Sequence, residues 1–166
     1  MSACFRLLTL ILALPILSAQ GAAFLKIGDI KGESTAPSHQ DEIDLLAWSW
    51  GANGNLQTKC VEELHIIKYT DSATVDLLLG QMTDTVFPEA KLSMNRQGDK
   101  RDYFELRLKN VTVSDYSSGV NGEQNRLTES LNLNFSEITV SYRRQISDGE
   151  LGEPEETTLF PSKKCE

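Results

Sequence analysis

Chemistry on a protein surface needs groups that move protons, attack as nucleophiles or hold metal ions, and this chain is poor in all three. It has two histidines, His39 and His65. His39 stands in the polar run SHQDE beside Gln40, Asp41 and Glu42, which reads as a surface position and not as a metal ligand or general base. His65 alternates with Leu64 and Ile66 and reads as a strand residue satisfied by a neighbour rather than a catalytic base. There is no GxSxG nucleophile string, no phosphate-cradling glycine loop and no cysteine or histidine spacing suited to zinc. The carboxylate runs, Glu62 with Glu63 and Glu153 with Glu155 and Glu156, read as solvating charge. The expectation is a protein that is not an enzyme, with no cofactor and no metal site, acting through its surfaces.

The remaining reactive side chains are cysteines, and their meaning depends on the N-terminus. Residues 1–23 carry Arg6, an apolar run from Leu7 to Leu17 and then Pro15 followed by SAQGAA, the three regions of a secretory signal in order. The run is well short of the roughly 20 residues of a membrane-spanning helix. Cleavage is expected near 21–23, leaving a secreted or periplasmic protein with no membrane segment. Cys4 departs with the signal, so the mature chain keeps Cys60 and Cys165. In an oxidising compartment this candidate disulfide closes a loop of about a hundred residues, worth roughly 4–5 kcal/mol in the chain-entropy model. The pair can bridge within one subunit or between two, or leave Cys60 as a small apolar residue and Cys165 as a free end.

The 143 residues after 23 suit one domain with a substantial core. They carry 15 basic and 24 acidic side chains, net −9, and basic clusters such as Arg143 with Arg144 and Lys163 with Lys164 are only two residues long. Nucleic acid, held mainly by clustered Lys and Arg, is therefore an unsuitable partner. The partition is 1–23 signal, 24–146 a β domain and 147–166 an acidic tail in which TTLF could add an edge strand.

Period-two alternation dominates the domain. Strands are expected at FLKIGDI, IDLLAWSWG, VEELHIIKY, FPEAKLSMNR and YFELRLKNVTVS, with loops at 31–42, at the turn Gly51–Gly54 and at SSGVNGEQN. Trp48 and Trp50 share a face with Leu46, a face buried in the core or in a subunit contact rather than a ligand-stacking platform. The single helix follows KYT, with Val75, Leu78, Leu79 and Met82 at i, i+3, i+4 and i+7 and Asp71 or Ser72 placed to cap it. Two long strands change the parity of their apolar residues midway. Phe104, Leu106 and Leu108 give way to Val111 and Val113, and Leu131, Leu133 and Phe135 to Ile138, Val140 and Tyr142. One face cannot stay buried across such a switch, so each strand must bulge or bend, near Lys109 and near Ser136. Bent strands of this kind make the corners of a β-barrel of two orthogonally packed antiparallel sheets, here with one short flanking α-helix.

FLKIGDIKGES, EIDLLAWSWG, HIIKYTDSAT, PEAKLSMNRQG, LKNVTVSDYSSG and RLTESLNLNFSEITVSY lie in an order and spacing that resembles the Hcp family, the haemolysin-coregulated tube proteins of type VI secretion, over 24 to 145. The resemblance implies a homo-oligomer: a hexameric ring stacking head-to-tail into a tube, with sheath, spike or small cargo effector proteins as further partners and loops 31–42 and 115–126 at the stacking faces. Tube-forming members normally lack a cleavable signal. This chain is then a divergent exported paralogue, or its natural start lies downstream and it is exported from the cytoplasm. The rival reading is a monomeric secreted or periplasmic binding module that keeps the fold without assembling.

Overall fold

The computed structural model describes residues 21–54, 59–96, 101–121, 126–146 and 150–161. Its strands are β1 (Ala22–Ile27), β2 (Ile43–Ser49), β3 (Ala52–Gly54), β4 (Lys59–Val61), β5 (Leu64–Tyr69), β6 (Phe87–Asn95), β7 (Asp102–Asn121), β8 (Arg126–Asn134), β9 (Glu137–Tyr142) and β10 (Glu155–Leu159). One helix, α1 (Thr74–Met82), sits between β5 and β6. The main sheet runs β10-β9-β7-β6-β1-β2-β5-β8, and a further β7–β8 pairing joins β8 back to β7. Six strands therefore close a circuit, β7-β6-β1-β2-β5-β8, while β9 and β10 extend beside the first half of β7. Closure removes the exposed edges of these six strands, the edges that make an open sheet prone to aggregation, and leaves β10 as an edge strand. Leu25, Ile27, Leu64, Ile66, Leu92, Leu106, Leu108, Leu131 and Leu133 fill the interior with no exposed surface.

The two parity switches are where the barrel turns its corner. β7 pairs with β9 from Phe104↔Tyr142 to Lys109↔Glu137, then with β8 from Thr112↔Asn134. The two pairings share one register as far as Val113↔Leu133, across a break at Phe135 and Ser136, and a bulge between Val113 and Asp115 then shifts the rest of the β7–β8 ladder by one residue. Asn110 at the break has φ +50°, a left-handed backbone that re-aims the side chains after it. Ser136 N donates to Lys109 O at 2.9 Å and Asn110 Nδ2 donates to Ser136 Oγ at 2.8 Å, stitching the two bends together. Because strands carry their hydrogen bonds around the corner, the two expected sheets are joined into one continuous barrel wall.

Three sequence expectations need correction. First, Leu46 does not share a face with Trp48 and Trp50. The β2–β5 register shifts between Leu45 and Ala47, and the extra residue turns Leu46 outward, 47% exposed, while Leu45, Trp48 and Trp50 pack on the core. β2 is thus a third bending strand, pairing with β1 before the bulge and mainly with β5 after it. Second, Gly51–Gly54 is more than a turn: β3 pairs with β4 in a small antiparallel ribbon. Third, the loop assigned to 115–126 is largely strand, since β7 and β8 stay paired out to Asn121↔Arg126.

Candidate functional site

The helix lies the opposite way round from what an amphipathic stripe leads one to expect. Val75 is 72% exposed, Leu79 58%, Met82 72% and Leu78 39%, with Val86 beyond the helix at 58%. The inward face consists of Ala73, Leu77 and Gly80. This smaller face wins because Gly80 lets the Phe87 ring approach: a Cβ there would lie 2.9 Å from Phe87 Cζ. The larger apolar stripe is left on the surface of the single chain, the arrangement that marks a contact site.

What holds the helix in this orientation is a buried ion cluster that alternation alone did not reveal. Lys68 stands on the inward face of β5, in phase with Leu64 and Ile66, and its side chain is fully buried. Lys68 Nζ lies 2.7 Å from Asp71 Oδ1 and 2.8 Å from Glu129 Oε2, and Glu129 is also fully buried. Thr74 Oγ1 donates to Glu129 Oε1 at 2.7 Å, and Asp71 Oδ1 accepts from Ala73 N at 3.0 Å. Burial pushes the Glu129 carboxyl up, but hydrogen bonds from Lys68, Thr74 and Thr70 and the charge of Lys68 outweigh it and hold the group below the usual carboxylate range. Burial, followed by the charge of Glu129 and a hydrogen bond to it, raises the nearby Tyr116 phenol. Neither Asp71 nor Ser72 is the N-cap. That position is Ala73, which makes no side-chain cap bond, and Asp71 organises the turn before it.

His39 is the second residue whose environment differs from expectation. The polar loop folds back over the outer face of β1 and buries the imidazole, 1% exposed, stacked on Phe24 at 4.0 Å between ring centroids. Its Nδ1 lies 2.9 Å from Glu42 Oε2 and its Nε2 3.0 Å from Asp102 Oδ1. The sequence signal available was Phe24, an apolar residue on the outer face of a strand, which requires a cover. His65, in contrast, is half-buried on the outer face of β5, with Nδ1 2.7 Å from Asn132 Oδ1 and Nε2 3.4 Å from Ser130 Oγ, a strand residue satisfied by neighbours as anticipated. Glu62 Oε1 accepts from Asn53 Nδ2 and Glu63 Oε2 from Ser114 Oγ, both at the surface.

Cys60 lies in β4 and is disulfide-bonded. Cys165, its expected partner, lies outside the described residues, as does the expected signal through Gln20. Among the described residues no group of three or more histidine, cysteine or acidic side chains is arranged to hold a metal, and no helix is long and apolar enough to cross a membrane.

The described residues thus form a bent closed barrel with one flanking helix and an apolar stripe turned outward. The family described as "Type VI secretion system effector, Hcp" matches residues 24–142. The chain belongs to the Hcp family. Its relatives include the protein hcp1 of Pseudomonas aeruginosa, 38% identical over 138 residues that cover 76% of this chain and 85% of the relative. Among solved structures, a type six secretion system protein superposes with TM-score 0.78 at 26% identity, over 85% of this chain and 96% of the other. Hcp1 from Salmonella typhimurium gives 0.73 at 26%, over 86% and 95%. A type VI secretion system effector from Yersinia pestis gives 0.73 at 22%, over 83% and 98%, a likeness of fold. The Hcp match stops at Tyr142, so β10 and the acidic tail lie beyond it, while the bent hairpin, the helix and the His39 loop fall within it.

Proposed function

We propose that this Hcp-family chain is a structural, non-enzymatic subunit that assembles into hexameric rings and stacks them head-to-tail into a tube resembling the inner tube of a type VI secretion system. The observation that carries the reading is the outward apolar stripe on a helix whose base is fixed by buried ions. Exposed Val75, Leu79 and Met82 gain by leaving water, at about 25 cal/mol per Å2 of apolar surface covered, and a rigid helix loses little entropy when it docks. A ring needs such a lateral contact, and a contact between two different patches propagates or closes depending on its rotation. Loop 31–42 and the tip of the β7–β8 hairpin serve stacking, and sheath, spike or small cargo effector proteins are the partners of the assembled tube.

Within this reading the N-terminal 21 residues act as an export signal and the protein is a paralogue working outside the cytoplasm. Ala22 and Ala23 pair with Asn95 and Met94 in the β1–β6 ladder. Cleavage after Gly21 leaves β1 whole, whereas cleavage after Ala23 removes two paired residues, so the first site is favoured. Cys60 pairs with Cys165 of the same subunit and ties down the acidic tail. The test is the mass in solution of the chain from Ala22 onward, by size-exclusion chromatography with light scattering, beside its Leu79→Glu/Met82→Glu variant. A parent at about six subunit masses and a folded, monomeric variant support the proposal; a monomeric parent at all concentrations refutes it.

A further inference from the structure

The loop from Asp29 to Glu42 is a compact flap. Gly32 N donates to Asp41 O at 2.8 Å, Asp41 N to Ser34 O at 3.0 Å and Ser34 N to Glu42 O at 3.0 Å. It touches three elements. His39 reaches Asp102 at the start of β7 and stacks on Phe24 of β1, and at the other end Ser72 Oγ donates to Lys31 O at 2.9 Å while Ser72 N donates to Glu33 Oε1 at 3.1 Å. The flap therefore connects the outer face of the barrel to the turn that begins α1.

The bond count at His39 sets a condition on this attachment. Ionised carboxylates only accept hydrogen bonds, and a neutral imidazole carries a single N–H. With Glu42 on one ring nitrogen and Asp102 on the other, both nitrogens must donate, which needs the imidazolium. Remove that proton and a nitrogen lone pair of the buried ring faces a carboxylate oxygen at 3.0 Å or less, where an unmade bond is costly. Glu42 and Asp102 have no other ion-pair partner among the described residues. Around the ring, β1 contributes Phe24 and, two residues along the same face, Lys26; β2 contributes the exposed Asp44, β6 the buried Ser93 hydroxyl, which has no hydrogen-bond partner, and Lys91, and β7 Glu105, with Lys26 and Lys91 lining a hollow beside Glu42 without an ion pair to it. The flap's one cation near this region, Lys31, is exposed and pairs with Asp41. None of these supplies a second donor to the ring.

We infer that His39 is a proton-dependent latch: protonated, it clamps the flap to β1 and β7; deprotonated, it releases the flap while the barrel stays folded. Because Ser72 ties the flap to the turn that begins α1, release also loosens the approach to the helix. The direction follows from the charge. The clamp is complete while the ring carries both protons and is lost as pH rises.

Hydrogen exchange read by mass spectrometry tests the latch on the chain from Ala22 onward, between about pH 6 and about pH 9, a window spanning the histidine range. Corrected for intrinsic rates, protection of the Gly32, Ser34 and Asp41 amides is expected to fall about tenfold with rising pH, the size of one charge-assisted hydrogen bond, while Leu106 and Ile66 hold theirs. Asp102→Asn supplies an amide donor that a neutral ring can accept, so in that variant the flap remains protected and the pH dependence disappears. Glu42→Gln is the second variant should Asp102→Asn fold poorly. In the parent, nitrogen NMR of His39 should show both ring nitrogens protonated below the transition. A flat protection profile, a variant keeping the parent's pH dependence, or a singly protonated ring at the low end overturns the inference. Ring assembly is not read in these measurements, so their failure and that of the tube proposal are distinguishable.

Discussion

Removing Lys68 is the sharpest test of how the helix is held. In Lys68→Met the Glu129 carboxylate, fully buried, and Asp71, 11% exposed, lose their cation. Stranding a buried charge in this way costs about 3–5 kcal/mol, against a total stability of about 5–15 kcal/mol for a domain. In Lys68→Met/Glu129→Gln no charge is stranded at position 129, and Thr74 still finds an amide oxygen. The double variant should therefore be more stable than Lys68→Met, with a coupling of about 1–3 kcal/mol between the sites. Urea unfolding near neutral pH measures all four members of the cycle. The parent also has a pH signature. Because the Glu129 carboxyl is held low in the folded chain, its stabilisation is present above the unfolded carboxylate value and is lost as pH falls through the folded one; Glu129→Gln flattens that acid limb. A loss below about 1 kcal/mol in Lys68→Met, or strict additivity in the cycle, would show that the ion cluster does not hold the helix.

Three further outcomes follow from particular residues. Asn110→Val, which forces a β-branched side chain into φ +50° and removes the bond to Ser136 Oγ, should cost about 2–3 kcal/mol by thermal or urea unfolding, and Asn110→Gly clearly less. The raised Tyr116 phenol stabilises the fold below its unfolded value and ceases to do so as pH climbs through the folded one; Tyr116→Phe should flatten the alkaline limb of stability, seen in urea midpoints. Non-reducing peptide mapping should recover Cys60 joined to Cys165, and reduction should lower stability by roughly 2–5 kcal/mol.

The corners of the barrel were legible because a parity switch leaves a mark in the residues themselves. Val111 after Leu108, and Ile138 after Phe135, cannot both face inward on a regular strand, and the bends fall at Asn110 and at Phe135–Ser136. The same logic applies to β2, where Ile43 and Leu45 give way to Trp48 and Trp50, but Leu46 is apolar and hid the switch by completing a false run with the tryptophans. The helix was legible as a helix and illegible in orientation. Its stripe is apolar whether it faces the core or a neighbouring subunit, and the burial of Ala73 and Leu77 and the approach of Phe87 to Gly80 show which side is inward. The two ionic clusters were hidden for a different reason. Lys68 and Glu129 are 61 residues apart, as His39 and Asp102 are by 63, and nothing local announces pairing across a barrel. A lysine in phase with Leu64 and Ile66 was the available hint, and its reading required the partner.

In the proposed ring, the apolar stripe of α1 is a lateral contact between identical subunits. Replacing Val75 by cysteine and labelling it with an environment-sensitive fluorophore reads that contact directly as the labelled chain is diluted. Such a contact predicts a blue-shifted, water-excluded probe in the assembled fraction that shifts to the emission of an exposed site as the mass falls to one subunit. A probe that reports full exposure at every mass, in a preparation that still forms rings, would contradict it.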